Sequence, residues 1–189
     1  MALVISMMAL TLLTALANAL VLGTVTETAI AASHREGVET FYAAEAAVEL
    51  VVQDLAAAVD WDEIAASDAR SAFVDGPPSG TRQVGAVTVD LTAATADVVT
   101  ASVGESDPVV YHLYAYGQVG DMIPDAAGRS PYYVAAWIAG LESDETEELS
   151  AVRIVGRAYG PTGSRRSMSV TLSRATSEEL RVVSWHELR

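Results

Sequence analysis

From Ala2 to Thr26 the chain holds no charged residue, and its apolar positions fall on every side of a helix: Leu3, Val4, Ile5, Met7, Met8, Leu10, Leu12, Leu13, Leu16, Leu20, Val21, Leu22 and Val25. A bilayer core is crossed by about 20 helical residues, so this run predicts a helix able to span a membrane or to fill the centre of a helical assembly. Its polar members Ser6, Thr11, Thr14, Asn18 and Thr24 are small and uncharged, the kind found between packed membrane helices. A cleaved secretory signal would begin with a basic stretch and carry a shorter apolar core. Neither feature is present, because nothing basic precedes the run and the run is too long.

No breaker separates this segment from the residues C-terminal to it. Gly23 and Gly37 are the only glycines, and proline is absent, before Gly76 and Pro77; each internal glycine costs a helix only about 1 kcal/mol. Val38, Phe41, Glu45, Val48, Val52, Leu55 and Val59 then recur at alternating spacings of three and four, the period of one helical face. The pattern predicts a single helix to about residue 60, apolar all round in residues 1–26 and amphipathic in residues 27–65, followed by a globular head in residues 66–189. Glu45 interrupts the apolar stripe among alanines. It is either a carboxylate that meets a cation on its own head or a neighbour, since an unpaired buried charge is costly, or a stripe edge reaching water. Glu27, the first charge after the apolar run, is likewise either an interfacial boundary or a pairing residue.

In the head, residues 66–82 read as a connector with a loop at Asp75-Gly76-Pro77-Pro78-Ser79-Gly80. A short strand is expected at residues 87–91 and a helix at 92–102, opened by a Thr or Asp cap. Residues 109–116 and 132–139, rich in aromatic and branched side chains, read as strands. Residues 152–159 and 166–174 flank Gly160-Pro161-Thr162-Gly163-Ser164, and the second arm alternates Met168, Val170 and Leu172 with serine and threonine. That predicts a hairpin with one face in and one out. A last strand at 180–185 completes five or six antiparallel strands packed on the helix. Tyr111, Tyr114, Tyr116, Tyr132, Tyr133 and Trp137 are expected in the core rather than in an exposed patch.

Length and charge narrow the function. The 189 residues suit one domain and an appendage. The formal charge is −14, from 25 acids against 11 bases, all of them arginine. A chain this acidic, with Arg165-Arg166 as its only adjacent basic pair, is no nucleic-acid binder. Without cysteine there is no disulfide, thiolate metal site or thiol nucleophile. His34, His112 and His186 share no ligand spacing, and no nucleophile elbow or phosphate-binding glycine loop occurs. The chain is therefore expected to be no enzyme and to need no cofactor. The densest acidic run, residues 142–148, reads as a solvated loop. Asp144, Glu145, Glu147 and Glu148 are its only calcium candidates, and the run lacks the spaced acids and turn glycine of a regular calcium loop.

Two segments carry a resemblance. The first joins Ala2-Leu3-Val4-Ile5, Thr26-Glu27-Thr28-Ala29, Arg35-Glu36-Gly37 and Phe41-Tyr42-Ala43-Ala44-Glu45-Ala46-Ala47-Val48-Glu49; the second is the hairpin from Val152 to Arg166. Together they resemble the PilX-like minor pilins of type IV pili. The resemblance implies an α+β pilin-like fold, a long N-terminal helix packed on an antiparallel sheet. It also implies a leader cut just before the apolar run, storage as a single-pass protein of the bacterial inner membrane, and transfer to the pilus on the cell surface. Partners would be other pilin subunits, met through Leu3, Ile5, Leu10, Leu13, Leu16, Leu20, Glu27 and Glu45, and the pilus assembly machinery. Ile5 stands where major pilins carry glutamate, and Leu22 where they carry proline, which directs the expectation to pilus initiation or the tip. A minor pseudopilin of a type II secretion system is one alternative; a membrane-anchored ligand-binding module is another, of a different class.

Overall fold

The computed structural model describes residues 1–66, 68–102, 109–122, 130–143, 146–174 and 180–188, with the side chains of residues 102, 142–143 and 146–150 outside the description. The chain divides into two compact units, Met1–Val38 and Glu39–Arg189. Helix α1 runs without interruption from Ala2 to Ala57. This bears out the continuous helix, with its end three residues short of the expected one.

In the first unit every apolar side chain named above is exposed: Leu3 at 73%, Ile5 at 67% and Leu13 at 67%. The small polar residues do not leave hydroxyls unmet. Thr11, Thr14, Thr24, Thr26 and Thr28 donate to backbone carbonyls three or four residues back, at 2.8–2.9 Å. A hydroxyl satisfied by its own helix brings no unpaired donor into an apolar surrounding.

In the second unit the rest of α1 lies on a five-stranded antiparallel sheet of order β3-β4-β5-β6-β7. The strands are β3 (His112–Gln118), β4 (Tyr133–Ser143), β5 (Thr146–Tyr159), β6 (Arg165–Arg174) and β7 (Leu180–Leu188). On the sheet's other face sit helix α3 (Leu91–Ser102) and a two-stranded hairpin, β1 (Thr81–Val84) and β2 (Val87–Asp90). A five-residue helix, α2 (Trp61–Ala65), comes after α1, and Asp60 caps it by accepting from the amide of Asp62 at 2.9 Å. The result is the α+β architecture expected, with a helix and an antiparallel sheet.

Strand periodicity divides the sheet's side chains between two cores. Val134, Ala136, Ile138, Val152, Ile154, Ala158, Met168, Val170 and Leu172 pack with α1. Tyr133, Ala135, Trp137, Val155 and Tyr159 pack with Leu91, Ala94 and Val98 of α3 and Val84 and Val89 of the hairpin. All six aromatics expected in the core are buried, from Trp137 at 0% to Tyr132 at 6% exposed. Asp90 opens α3 by accepting from the amides of Thr92 and Ala93 at 2.8 and 3.1 Å, the Asp form of the expected cap.

Four expectations need correction. The buried face of α1 is Thr40, Ala43, Ala44, Ala47, Val48, Val51 and Leu55, rotated from the predicted stripe toward the alanines; Val38 is 40% exposed and Val59, beyond the helix, 94%. The cause is close approach. A Cβ on Gly156 of β5 would stand 2.5 Å from Val48 Cγ2 and 2.9 Å from the Ala44 carbonyl oxygen, so at this crossing the strand has no room for a side chain. Second, the connector ends in a strand, because Gly85 takes φ +58° in a two-residue turn that folds β1 back on β2.

Third, the acidic run is not simply a loop. Residues 142–143 continue β4 and 146–148 begin β5, paired across bulges, since backbone pairing can extend along a hairpin whatever its side chains carry. Fourth, the polar face of β6 is not turned to water. Ser167, Ser169 and Thr171 are at most 9% exposed, and Ser167 accepts from Arg157 Nε at 3.0 Å.

Candidate functional site

The candidate assembly residues lie where the pattern put them on α1. Leu3, Leu10, Leu16 and Leu20 are 60–73% exposed, as are Ile5 and Leu13, and Glu27 is exposed on the same unit. Moving one such side chain out of water is worth roughly 1.5–3 kcal/mol, so a run of this length strongly favours an apolar surrounding. The helix is long and apolar enough to cross a membrane, and none of its most apolar stretch is buried.

Glu45 is half-exposed at the edge of the packed face, and none of the ion pairs among the described residues involves it. The acids that do tie α1 to the head are others. Glu39 accepts from the Tyr132 hydroxyl at 2.5 Å. Asp54 accepts from Ser71 Oγ at 2.7 Å and lies beside Tyr114, whose hydroxyl is pushed well above its ordinary pKa by burial and then by that carboxylate. Thr40 and Ser164, in the β5–β6 turn, share a 2.7 Å hydrogen bond. Sequence separations of 93 and 124 residues explain why no local pattern signalled these pairs.

The end of α1 is held by side chains from far along the chain. Helix carbonyls at a C-terminus lack internal partners, and here Trp61 Nε1 donates to the Leu55 carbonyl at 3.1 Å while Arg174 donates at 2.8 Å each to the carbonyl of Ala58, just past the last helical residue, and to that of Val59 beyond it. The guanidinium carbon also stands 4.7 Å from the Trp61 ring centroid, within cation–π range. This junction fixes where the helix stops and the connector begins.

His112, at the start of β3, is 9% exposed. Burial is the main cause lowering its pKa below the ordinary 6.5, aided by Arg70 and opposed by the Ile64 carbonyl and Asp68. Among the described residues no group of three or more His, Asp or Glu could hold a metal ion. Asp144 and Glu145 lie outside the described residues, as do the side chains of Glu147 and Glu148.

The comparisons with known proteins bear on α1. Residues 1–49 match the family model described as PilX N-terminal. That segment takes in the whole exposed apolar run and the first turns of the packed half, so the similarity to PilX-like type IV pilins lies in the N-terminal quarter of the chain. The chain matches no curated protein and no solved structure.

Proposed function

We infer that the chain is a minor pilin, a structural subunit without catalytic activity that is stored as a single-pass protein of the bacterial inner membrane and enters a type IV pilus at initiation or at the tip. The observation that carries this reading is the PilX N-terminal match over residues 1–49, laid on a helix whose apolar residues are exposed. The helix supplies the means of assembly, because an all-round apolar surface can exchange lipid for neighbouring helices with little change in burial.

The test is genetic and biochemical. Deleting the gene in the producing bacterium is expected to reduce surface pili strongly, and the wild-type chain to restore them. Before assembly the chain should fractionate with inner membrane, and in sheared filaments it should be present at far below the major subunit. Unchanged pilus number in the deletion strain would sink the assembly role. Loss of secreted enzymes with normal pili would instead support a pseudopilin of a type II secretion system.

A further inference from the structure

The head carries a groove of about 530 Å³ that the assembly reading does not use. That volume lies in the range of ligand pockets. One wall is β2: all four of its residues line the groove and none of β1 does. The groove therefore runs along the edge of β2 opposite its hairpin partner. Because β1 and β2 form a two-stranded sheet of their own, that edge has no strand on it among the described residues. In a hairpin with a two-residue turn, the residues next to the turn are hydrogen-bonded to each other and the next pair outward is not. Val84 and Val87 are the first pair and Gln83 and Thr88 the second, so the amide and carbonyl of Thr88 are directed into the groove.

The opposite wall is Gly160 and Gly163 of the β5–β6 turn, flanked by Tyr159, Ser164 and Arg165, and Ala93 and Ala94 of α3 form the floor. At the hairpin's tip the groove is closed, since the Ala86 amide donates to the Pro161 carbonyl at 3.0 Å. Toward α3 it ends at the exposed Asp90. One carboxylate oxygen of Asp90 caps α3, which fixes the group and leaves the second oxygen to a ligand. Asp97 lies further on and is 3.8 Å from both Arg157 and Arg165, so it is already balanced by cations.

We propose that this groove binds a short extended peptide segment of another protein, which adds as a strand to the free edge of β2 and places a basic side chain on Asp90. Unpaired main chain on one side and glycine on the other suit a ligand read through its backbone, the mode of strand addition at an open sheet edge. The single unbalanced carboxylate at the open end sets the charge of the occupant. The chain itself is strongly acidic, with a formal charge of −14, which disfavours a second copy as that occupant. This site is independent of the filament role and stands or falls separately.

The full-length chain in detergent micelles would be titrated with a seven-residue peptide of alternating valine and serine carrying one lysine, and binding measured by calorimetry. Micromolar binding is expected. Methylating alternate backbone nitrogens of the peptide should weaken it at least tenfold, a result that does not depend on any variant folding. Thr88→Pro removes the outward amide at an edge position where proline is tolerated, and should weaken binding at least tenfold with the melting temperature within a few degrees of wild type. Asp90→Asn keeps a good helix cap, and should weaken the lysine peptide about fivefold while leaving its alanine counterpart unchanged. No binding at millimolar peptide, equal binding of the methylated peptide, or binding of maltotriose with no peptide bound would each overturn the proposal.

Discussion

Gly156→Ala is the sharpest probe of how helix and sheet meet. The added methyl would sit 2.5 Å from Val48 Cγ2, 2.9 Å from the Ala44 carbonyl oxygen and 3.5 Å from the Val48 amide nitrogen. Carbon atoms in contact rest at about 3.5–4.0 Å, so the Val48 contact is short by roughly 1 Å. Val48 is β-branched and rotates poorly in a helix, and the Ala44 oxygen belongs to the backbone; neither can step aside. The helix must move off the sheet or the strand must bend, which costs about 1–3 kcal/mol for overpacking. Replacing glycine within a strand recovers about 0.5–1 kcal/mol of chain entropy, leaving a net loss of up to about 2.5 kcal/mol and of about 1 kcal/mol at the middle of both ranges. At about 2–4 °C per kcal/mol for a chain of this size, the full-length protein in detergent should melt about 2–4 °C lower at that middle value, followed by near-ultraviolet circular dichroism of its buried tryptophans. Adding Val48→Ala removes the nearer clash, so the double variant should be more stable than the sum of the singles by about 1 kcal/mol, a coupling typical of residues in contact. A Gly156→Ala protein that melts at or above wild type would refute the close-approach account of the rotated helix face.

Other perturbations read separate parts of the molecule. Arg174→Gln should remove the cap on the end of α1 and the contact with Trp61, lowering stability by about 1–2 kcal/mol and speeding amide exchange in residues 51–58; unchanged exchange there would show that the cap does not hold the helix end. His112 has a depressed pKa in the folded chain, so the unfolded chain binds its proton first as pH falls. Stability from this group is complete above about 6.5 and declines as pH drops from there toward the folded value. His112→Gln should flatten the urea-midpoint difference between pH 7.5 and 5.5 relative to wild type, and identical slopes would exclude His112 as its source. Leu16→Arg places a charge at the middle of the apolar run, where insertion is penalised by about 2.5–3.5 kcal/mol; less chain in the membrane fraction and fewer pili are expected, and normal levels of both would count against membrane storage.

Legibility in the sequence tracked how local each cause was. The apolar run, the Asp90 cap of α3 and the β5–β6 hairpin around Gly160 and Gly163 depend on residues within a few positions of one another, and each stands as expected. The aromatic strands were legible because bulky side chains at period two must be buried on some face. The β1 strand escaped because four residues beside a proline loop carry too little pattern, and its partner is set by Gly85. The two candidate acids on α1, Glu27 and Glu45, drew notice through their place in the apolar pattern. Glu39 and Asp54, which bond Tyr132 and Ser71, carry no such local signal, because their partners lie 93 and 17 residues along the chain.

The sequence by itself determined that this protein has one long helix, that its first part is apolar on every side, and that an antiparallel head comes after it. Those are consequences of composition and period, which act along the chain. Only the tertiary structure decided which face of α1 is buried, where the helix stops and which strand edges stay open. Each of these rests on a pair far apart in sequence: Gly156 against Ala44 and Val48, Arg174 on Ala58 and Val59, Pro161 on Ala86. A helix of period 3.6 can present several overlapping faces at nearly equal hydrophobic gain, and the steric fit of its partner selects among them.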